Sequence, residues 1–426
     1  MQTLSIPLTA AFVGWFTNKL AVDMIFYPLQ WRGIPLHVIE GQPFGLIGWQ
    51  GIVPAKAAVM AARMTDMVTT QLVNVQEVFM RLKPQEIAAL LAPEIGPMAK
   101  DVAGKPCASH LCFTAPHSAV LAADQVGRLI ELRQRFLVRL VKDLQKNVDR
   151  RVPRLEYSVH FAYVQHCETR TILVDLFKKC GKKEFPFLVN SGLWFGFLLG
   201  LLQMALWLLC DRAWTIPVGG FIVGIITNAI AIKLIFEPVD PVFFGPFKLQ
   251  GLFLQRQAEV SAEFAEYFTT NVVHSRNIWR VMLLGSRAPF FFKLLSKHVT
   301  PFIKQASCIV GTPVDDDLAK GLAHKVGMRL KDHVHVLDDY TDKTLRLQET
   351  MDLKMKMMSS RTFEGVLHPV FQEDEFTLIV AGGALGLAAG LIQMYFSLGD
   401  KSGGKAKAAA AAAAAASTDS DRSQDS

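Results

Sequence analysis

Long runs of apolar residues are the clearest pattern along this chain. The runs from Phe187 to Cys210 and from Phe376 to Leu398 contain no charged residue, and each exceeds the ~20 residues that a helix needs to cross a bilayer core. Two further runs, from Leu4 to Tyr27 and from Thr215 to Phe236, carry polar interruptions. The pattern predicts an all-α, polytopic membrane protein with about four transmembrane helices, at 4–27, 187–210, 215–236 and 376–398.

These runs belong to a longer pattern that occurs twice. Residues 5–28 and 215–238 are identical at 10 of 24 aligned positions. Shorter matches follow in the same order: Gln50-Gly51 with Gln250-Gly251, Thr69-Thr70 with Thr269-Thr270, and the nine residues from Gly196 with the nine from Gly386. This recurrence predicts a tandem duplication, with repeat one at 1–210 and repeat two at 211–399.

Each predicted repeat consists of a span, a long soluble insert and a second span. The inserts cover 29–186 and 239–375. Because two spans return the chain to its starting side, both inserts are expected on one side of the membrane and both termini on the other. The two repeats would then be parallel, related by a pseudo-two-fold axis along the membrane normal. Lysine and arginine residues near the spans number seven on the insert side against four opposite, which favours cytosolic or equivalent placement of the inserts.

The inserts have the periodicity of helices. Residues 56–82 contain neither Gly nor Pro, and apolar positions such as Val68, Val75 and Phe79 fall on one helical stripe. Alternation of apolar and polar residues is scarce. The stretch 400–426 is of low complexity and lacks core-forming residues, which predicts a disordered tail.

Composition agrees with a membrane protein. The chain has 426 residues, of which 51% are hydrophobic and only 19% are charged. Soluble domains usually contain about 25% charged residues. A bilayer is therefore the first expected partner of this protein.

Polar residues interrupt the first span of each predicted repeat. Thr17 and Asn18 recur as Thr227 and Asn228, near the middle of the two spans. An asparagine amide at bilayer depth requires a hydrogen-bond partner, because lipid offers none. The two pairs are interpreted either as polar contacts between helices or as the lining of a pathway for an ion or small solute.

Charged residues lie in the same two spans. Lys19 and Asp23 are spaced to pair on one helix face, and Asp23 aligns with Lys233 of repeat two. We expect Asp23 to contact Lys233 or Lys19. The alternative is that these side chains extend to the membrane interface, since they lie in the insert-side half of their spans.

Glycine recurs at every fourth position in the second span of each repeat. Such ridges allow the backbones of two helices to approach closely. We expect the second spans to pack tightly, against each other or in a homo-oligomer, through Gly192, Gly196, Gly200, Gly382, Gly386 and Gly390.

A basic stretch lies in the insert of repeat one. Arg135, Arg139, Lys142 and Lys146 fall on one face of a predicted helix. They indicate contact with anionic headgroups or an acidic protein partner, with an ordinary solvated face as the alternative. Nucleic acid is not expected as a partner, because no stacking aromatic residues are interleaved and no DNA-reading motif is present.

No motif of enzyme chemistry is found in the sequence. It contains no phosphate loop, dinucleotide fingerprint, nucleophile elbow or zinc-protease helix. Its six cysteines include no second ligand pair at zinc spacing. We therefore predict no catalytic residue, no metal site and no cofactor, and a protein that is not an enzyme.

The repeated first-span motif resembles a known family. Gly14–Pro28 (GWFTNKLAVDMIFYP), Gly51–Pro54 (GIVP) and Gly224–Pro238 (GIITNAIAIKLIFEP) are similar to the start of the domain-of-unknown-function 445 family. Phe363–Glu375, with the glycine-rich span after it, resembles the family's C-terminal region. The resemblance covers nearly the whole chain, once in each repeat, and implies an integral membrane protein without specifying a biochemical activity.

Two functions follow from these features. The first is a membrane-anchored structural, scaffold or tethering protein that acts through its inserts, which are far larger than its spans. The second is a small transporter or channel that uses the polar residues of the first spans. The first is favoured, because four spans are few for a monomeric carrier.

Overall fold

The structure, a computed structural model, describes most of the chain. The described residues are 2–34, 43–45, 47–99, 101–102, 123–151, 166–209, 212, 214–285, 288–311, 313–365 and 375–395. The predicted disordered tail at 400–426 lies outside them. Within the described residues, helices predominate, so the prediction of a mainly helical chain is confirmed.

The principal helices are numbered along the chain. Those of the first half (1–210) are α1 (Gln2–Phe26), α2 (Ile52–Ala55), α3 (Ala57–Met67), α4 (Val75–Met80), α5 (Pro84–Leu91), α6 (Ala123–Arg151), α7 (His166–Cys180) and α8 (Glu184–Leu209). Those of the second half (211–399) are α9 (Thr215–Phe236), α10 (Leu252–Gln255), α11 (Gln257–Asn271), α12 (Ser275–Leu284), α13 (Ala288–Val310), α14 (Asp316–His333), α15 (Asp338–Leu345), α16 (Leu347–Lys356) and α17 (Glu375–Tyr395). A π-helix continues α3 over Val68–Leu72, and a 3₁₀-helix over Val334–Leu337 joins α14 to α15.

Two compact units make up the chain, and each takes segments from both halves. The membrane unit consists of Met1–Ala55, Gly181–Arg256 and Ser359–Ser426. The insert unit consists of Lys56–Cys180 and Gln257–Met358. The long apolar helices thus belong to one unit and the helices of the predicted inserts to the other.

Within the part of the chain that the structure describes, three helices of the membrane unit are long and apolar enough to cross a membrane. They span Glu184–Leu206, Thr215–Phe236 and Glu375–Tyr395. This composition is consistent with an integral membrane protein. Helix α1 is also long, at 25 residues, but its Lys19 and Asp23 make it less apolar than the other three.

Short strands follow the first long helix of each half. In the first half, β1 (Arg32–Ile34) and β2 (Phe44–Gly45) both pair antiparallel with β3 (Ile47–Trp49). In the second half, β4 (Val242–Phe244) and β5 (Phe247–Leu249) form a hairpin in which Val242 lies opposite Leu249. The sequence pattern predicts helices throughout the inserts, and the strands depart from that prediction. Strands of two or three residues are too short to produce a detectable alternation of apolar and polar positions.

The insert unit is a helical body with local signals at its helix ends. Asn74 caps α4 by accepting a hydrogen bond from the Glu77 backbone at 3.2 Å, and Pro84 occupies the first turn of α5. Helix α6 packs against α4, α5 and α13, while α11 packs against α7 and α16. The apolar faces of these helices form the buried core of the unit.

Candidate functional site

The first candidate site is the Thr17-Asn18 pair, in the middle of α1. Both side chains are buried, at 1% and 0% exposure. The Thr17 hydroxyl donates to the carbonyl oxygen of Gly14 in its own helix, at 3.1 Å. The Asn18 amide nitrogen donates to the carbonyl oxygen of Leu188 in α8, at 2.7 Å. Asn18 therefore joins α1 to α8.

The Thr227-Asn228 pair makes matching contacts in the second half. The Thr227 hydroxyl donates to the carbonyl oxygen of Val223 in α9, at 2.8 Å. The Asn228 amide nitrogen donates to the carbonyl oxygen of Leu378 in α17, at 2.8 Å. Both side chains are again buried, at 0% and 2% exposure. In each half, an asparagine of the first long helix therefore binds the backbone of the second.

Each asparagine also has a side-chain oxygen that no donor satisfies. Oδ1 of Asn18 and Oδ1 of Asn228 are both buried, and neither has a hydrogen-bond partner among the described residues. An unsatisfied buried oxygen costs free energy, so it is uncommon in folded proteins. The same unsatisfied acceptor therefore occurs at matching positions in both halves.

The first glycine ridge lies where α8 contacts α1. A Cβ atom added at Gly196 would lie 2.5 Å from the carbonyl oxygen of Ala10, and one added at Gly200 would lie 2.7 Å from the Ala10 Cβ. A Cβ at Gly192 would collide with the backbone of Gly14. Along this ridge the two helices therefore approach to backbone contact.

The second ridge makes the matching contact between α17 and α9. A Cβ added at Gly390 would lie 2.6 Å from the Cα of Pro217, and one at Gly386 would collide with the backbone of Gly220. Gly382 lies against the Asn228 amide. The partner differs from the expected one, because each ridge contacts the first long helix of its own half. That helix supplies the small residues which close approach requires on both sides.

The expected ion pair of Asp23 is not formed. Asp23 is exposed and makes no ion pair with Lys19 or Lys233 among the described residues. The Lys19 ammonium lies over the ring of Trp15, 5.4 Å from its centroid, and Lys233 lies 4.0 Å from Glu237. A lysine that precedes an acidic residue by one turn is the weaker orientation of a helical ion pair. This weaker orientation accounts for the missing ion pair between Asp23 and Lys19.

The membrane unit contains a buried ion pair that no sequence pattern predicts. One guanidinium nitrogen of Arg256 lies 2.7 and 2.8 Å from the two carboxylate oxygens of Glu184. The Glu184 side chain is 3% exposed and that of Arg256 is 15% exposed. The two residues are 72 positions apart, so no local spacing indicates their contact.

The basic residues of α6 form an exposed stripe on the insert unit. Arg135, Arg139, Lys142 and Lys146 are all exposed. Arg135 pairs with Glu131, one turn before it. The other three residues make no ion pair among the described residues. Arg139, Lys142 and Lys146 together form the α6 basic face.

Shifted pKa values occur in the insert unit away from the predicted sites. A hydrogen bond of 2.9 Å between Lys83 and Glu86 raises the pKa of the lysine and lowers that of the glutamate. Burial raises the pKa of Tyr267 to about 12, and the negative charge of Asp175 adds to the effect. These shifts follow from local ion pairing and burial.

Comparisons with protein-family models, with curated proteins and with solved structures find no match for this chain. The family expected from the repeated first-span motif therefore stays a prediction.

Proposed function

We propose that this protein is a membrane-anchored scaffold or tether, without enzymatic activity, whose insert unit binds an anionic surface. The α6 basic face carries the proposal. It presents three cations at spacings of three and four residues, exposed and without an ion-pair partner among the described residues. Unpaired cations on one helix face attract anionic headgroups, each contributing about 1 kcal/mol near a charged membrane.

The proposed anchor consists of four spans in two parallel repeats of the domain-of-unknown-function 445 family. Matching contacts in the two halves support the duplication. Besides the asparagine and glycine contacts, the Gly51 backbone nitrogen donates to Pro28 at 3.0 Å, and that of Gly251 donates to Pro238 at 3.0 Å. The fourth span is α1, and the inserts are on the cytosolic or equivalent side.

The burial of the Thr-Asn pairs supports an anchor over a pathway. A solute that moves along polar side chains must be able to reach them. Thr17, Asn18, Thr227 and Asn228 are at most 2% exposed, and their hydroxyl and amide groups donate to backbone carbonyls. The asparagine amides join neighbouring helices, and the threonine hydroxyls bond within their own helix.

Vesicle clustering tests the proposed docking. The full-length protein in vesicles of neutral lipid should cluster protein-free vesicles that contain phosphatidylglycerol, as measured by light scattering. Clustering should be weaker at high salt, because exposed charges are screened. The triple variant Arg139→Glu/Lys142→Glu/Lys146→Glu should lose clustering.

A matched control separates the α6 basic face from overall charge. Lys325→Glu/Lys331→Glu/Lys343→Glu reverses three exposed charges on α14 and α15 and should cluster vesicles like the wild type. Equal loss in both triple variants, or no clustering by the wild type, would contradict docking through this face.

Transport is the second candidate, and one observation favours it. The unsatisfied oxygens of Asn18 and Asn228 are acceptors of the kind that coordinates a cation or a water molecule. Flux of ions and small solutes into vesicles would be compared between the wild type and a folded Asn18→Leu/Asn228→Leu variant. Flux that depends on the two asparagines would establish a pathway, and equal flux in both proteins would leave them as helix contacts.

A further inference from the structure

A cavity of about 320 Å³ lies inside the insert unit. Two matching helix ends line it. The first is the π-helix that follows α3, and the second is the end of α11. The Val73 backbone nitrogen donates to Val68 at 2.7 Å, and the Val273 nitrogen donates to Phe268 at 3.0 Å. All four residues line the cavity.

The cavity is too large to be a packing defect. Protein interiors contain few voids larger than a water molecule, and ligand sites begin at about 300 Å³. Part of its wall is a π-helix, and π-helical turns are frequent at functional sites. The cavity therefore has the properties of a binding site.

The wall has few polar groups that are free to bind a polar ligand. The hydroxyls of Thr65 and Thr69 donate to backbone carbonyls in their own helix, at 2.8 and 2.9 Å. The amides of Asn271 and Asn277 also donate to backbone carbonyls, at 2.9 and 3.0 Å. Most other lining side chains are aliphatic or aromatic. The interior therefore suits an apolar ligand.

Two polar groups remain available, one just before α12 and one in the middle of this helix. Nδ1 of His274 is buried and has no hydrogen-bond partner among the described residues. Arg280 lines the cavity, is exposed, and forms no ion pair among those residues. An apolar cavity with a cation and a free imidazole nitrogen is suited to a chain that ends in an anion.

We propose that this cavity binds an acyl chain with an anionic head group, as in a fatty acid or an anionic phospholipid. The chain lies among the apolar residues, and the head group contacts Arg280 and His274. A water molecule takes up ~30 Å³, and a methylene group is of similar size, so the cavity holds a chain of about ten carbons. Binding here does not depend on the α6 basic face.

Chain-length dependence tests the proposal without any substitution. The full-length protein would be kept in an amphipathic polymer free of acyl detergents, and radiolabelled fatty acids of six to sixteen carbons would be titrated by equilibrium dialysis. Affinity should rise about fourfold for each added methylene and level off near ten to twelve carbons. Absence of saturable binding, or an affinity independent of chain length, would overturn the proposal.

Two variants test the location of the ligand. Val281→Trp fills the cavity and should lower laurate affinity at least tenfold, whereas Ile130→Trp, at an exposed position of α6, should not. Arg280→Glu should weaken the binding of laurate and leave the binding of the neutral alcohol dodecanol unchanged. Its control is Arg276→Glu, one turn earlier in α12 and outside the wall, which should change the binding of neither compound. Unchanged laurate binding in both Val281→Trp and Arg280→Glu would overturn the assignment.

Lipid analysis distinguishes the two sources of the chain. The protein would be reconstituted with phosphatidylglycerol, extracted into the polymer and examined by native mass spectrometry. Phospholipid retained by the wild type and lost in Val281→Trp would identify a membrane lipid as the ligand. Saturable laurate binding without phospholipid retention would identify a free fatty acid.

Discussion

Asn18 and Asn228 each bind a backbone carbonyl of a neighbouring helix from a position that solvent does not reach. Helix association in a bilayer gains little from the hydrophobic effect, so polar contacts and close packing have to supply it. At the scale of single residues, Asn18 and Asn228 therefore fix neighbouring helices to each other. An asparagine makes this contact in both halves.

Replacing either asparagine should cost a similar amount of stability. We expect Asn18→Leu and Asn228→Leu each to lower the free energy of unfolding by about 1 kcal/mol, because each loses one contact between helices. Thermal unfolding in detergent would measure the effect. Asn190→Leu, at an exposed position of α8, is the control and should cause no loss. A loss in only one half would contradict equivalent roles.

The buried pair of Glu184 and Arg256 should be sensitive to the loss of one partner. Glu184→Gln should destabilise the membrane unit by about 3–5 kcal/mol, because it leaves a buried charge without compensation. Glu184→Leu/Arg256→Met should cost less than the single change. Asp240→Asn, which breaks the exposed pair with Arg361, should have little effect. Equal unfolding temperatures for wild type and Glu184→Gln would refute the importance of the pair.

Tyr267 should make stability depend on alkaline pH. Its folded pKa of about 12 exceeds the ordinary value of 10.0, so the folded state keeps its proton at a higher pH. This contribution to stability is complete below pH 10 and is lost as the pH rises towards 12. Unfolding measured across this range should be less pH-dependent in Tyr267→Phe. An unchanged dependence of stability on pH in this variant would show that other groups determine it.

At the scale of elements, the close packing of each helix pair depends on glycine residues in both contacting surfaces. Gly14 of α1 lies against Gly192 of α8, and Gly224 of α9 lies against Gly382 of α17. Close backbone approach on this pattern increases van der Waals contact over the length of the helices. Each half therefore contributes one tightly packed helix pair to the membrane unit.

Substitutions at these glycines should break the helix pairs. We expect Gly196→Leu and Gly386→Leu to abolish folded, monodisperse protein in size-exclusion chromatography, because any side chain would collide with the opposing backbone. A Cβ at Gly127 meets nothing within 4 Å, so Gly127→Ala should be tolerated and should stabilise α6 by about 1 kcal/mol. Normal elution of both leucine variants would rule out backbone contact at these ridges.

At the scale of the whole molecule, each compact unit is assembled from both halves of the chain. The membrane unit contains α1 and α8 from the first half with α9 and α17 from the second. The insert unit likewise combines Lys56–Cys180 with Gln257–Met358. A protein built in this way is expected to require both halves for folding, because neither unit is complete in one half.

The number of spans determines where the two ends of the chain lie. With four spans, including α1, tags at the N- and C-termini should be on one side of the membrane. A single remaining cysteine at Cys308, which is exposed in α13, should react with an impermeant maleimide only from the other side. Tags on opposite sides would mean an odd number of spans and would exclude α1 as the fourth.

The sequence by itself determined the helical class, the three most apolar helices and the positions of the paired asparagines and glycines. These properties depend on residues within a few positions of one another, so periodicity and composition reveal them. Only the tertiary structure decided which surfaces meet. Asn18 binds a carbonyl 170 residues away, the glycine ridges contact first helices instead of each other, and Glu184 finds Arg256. The cavity also has no local signal, because its wall is assembled from segments that the chain brings together only on folding.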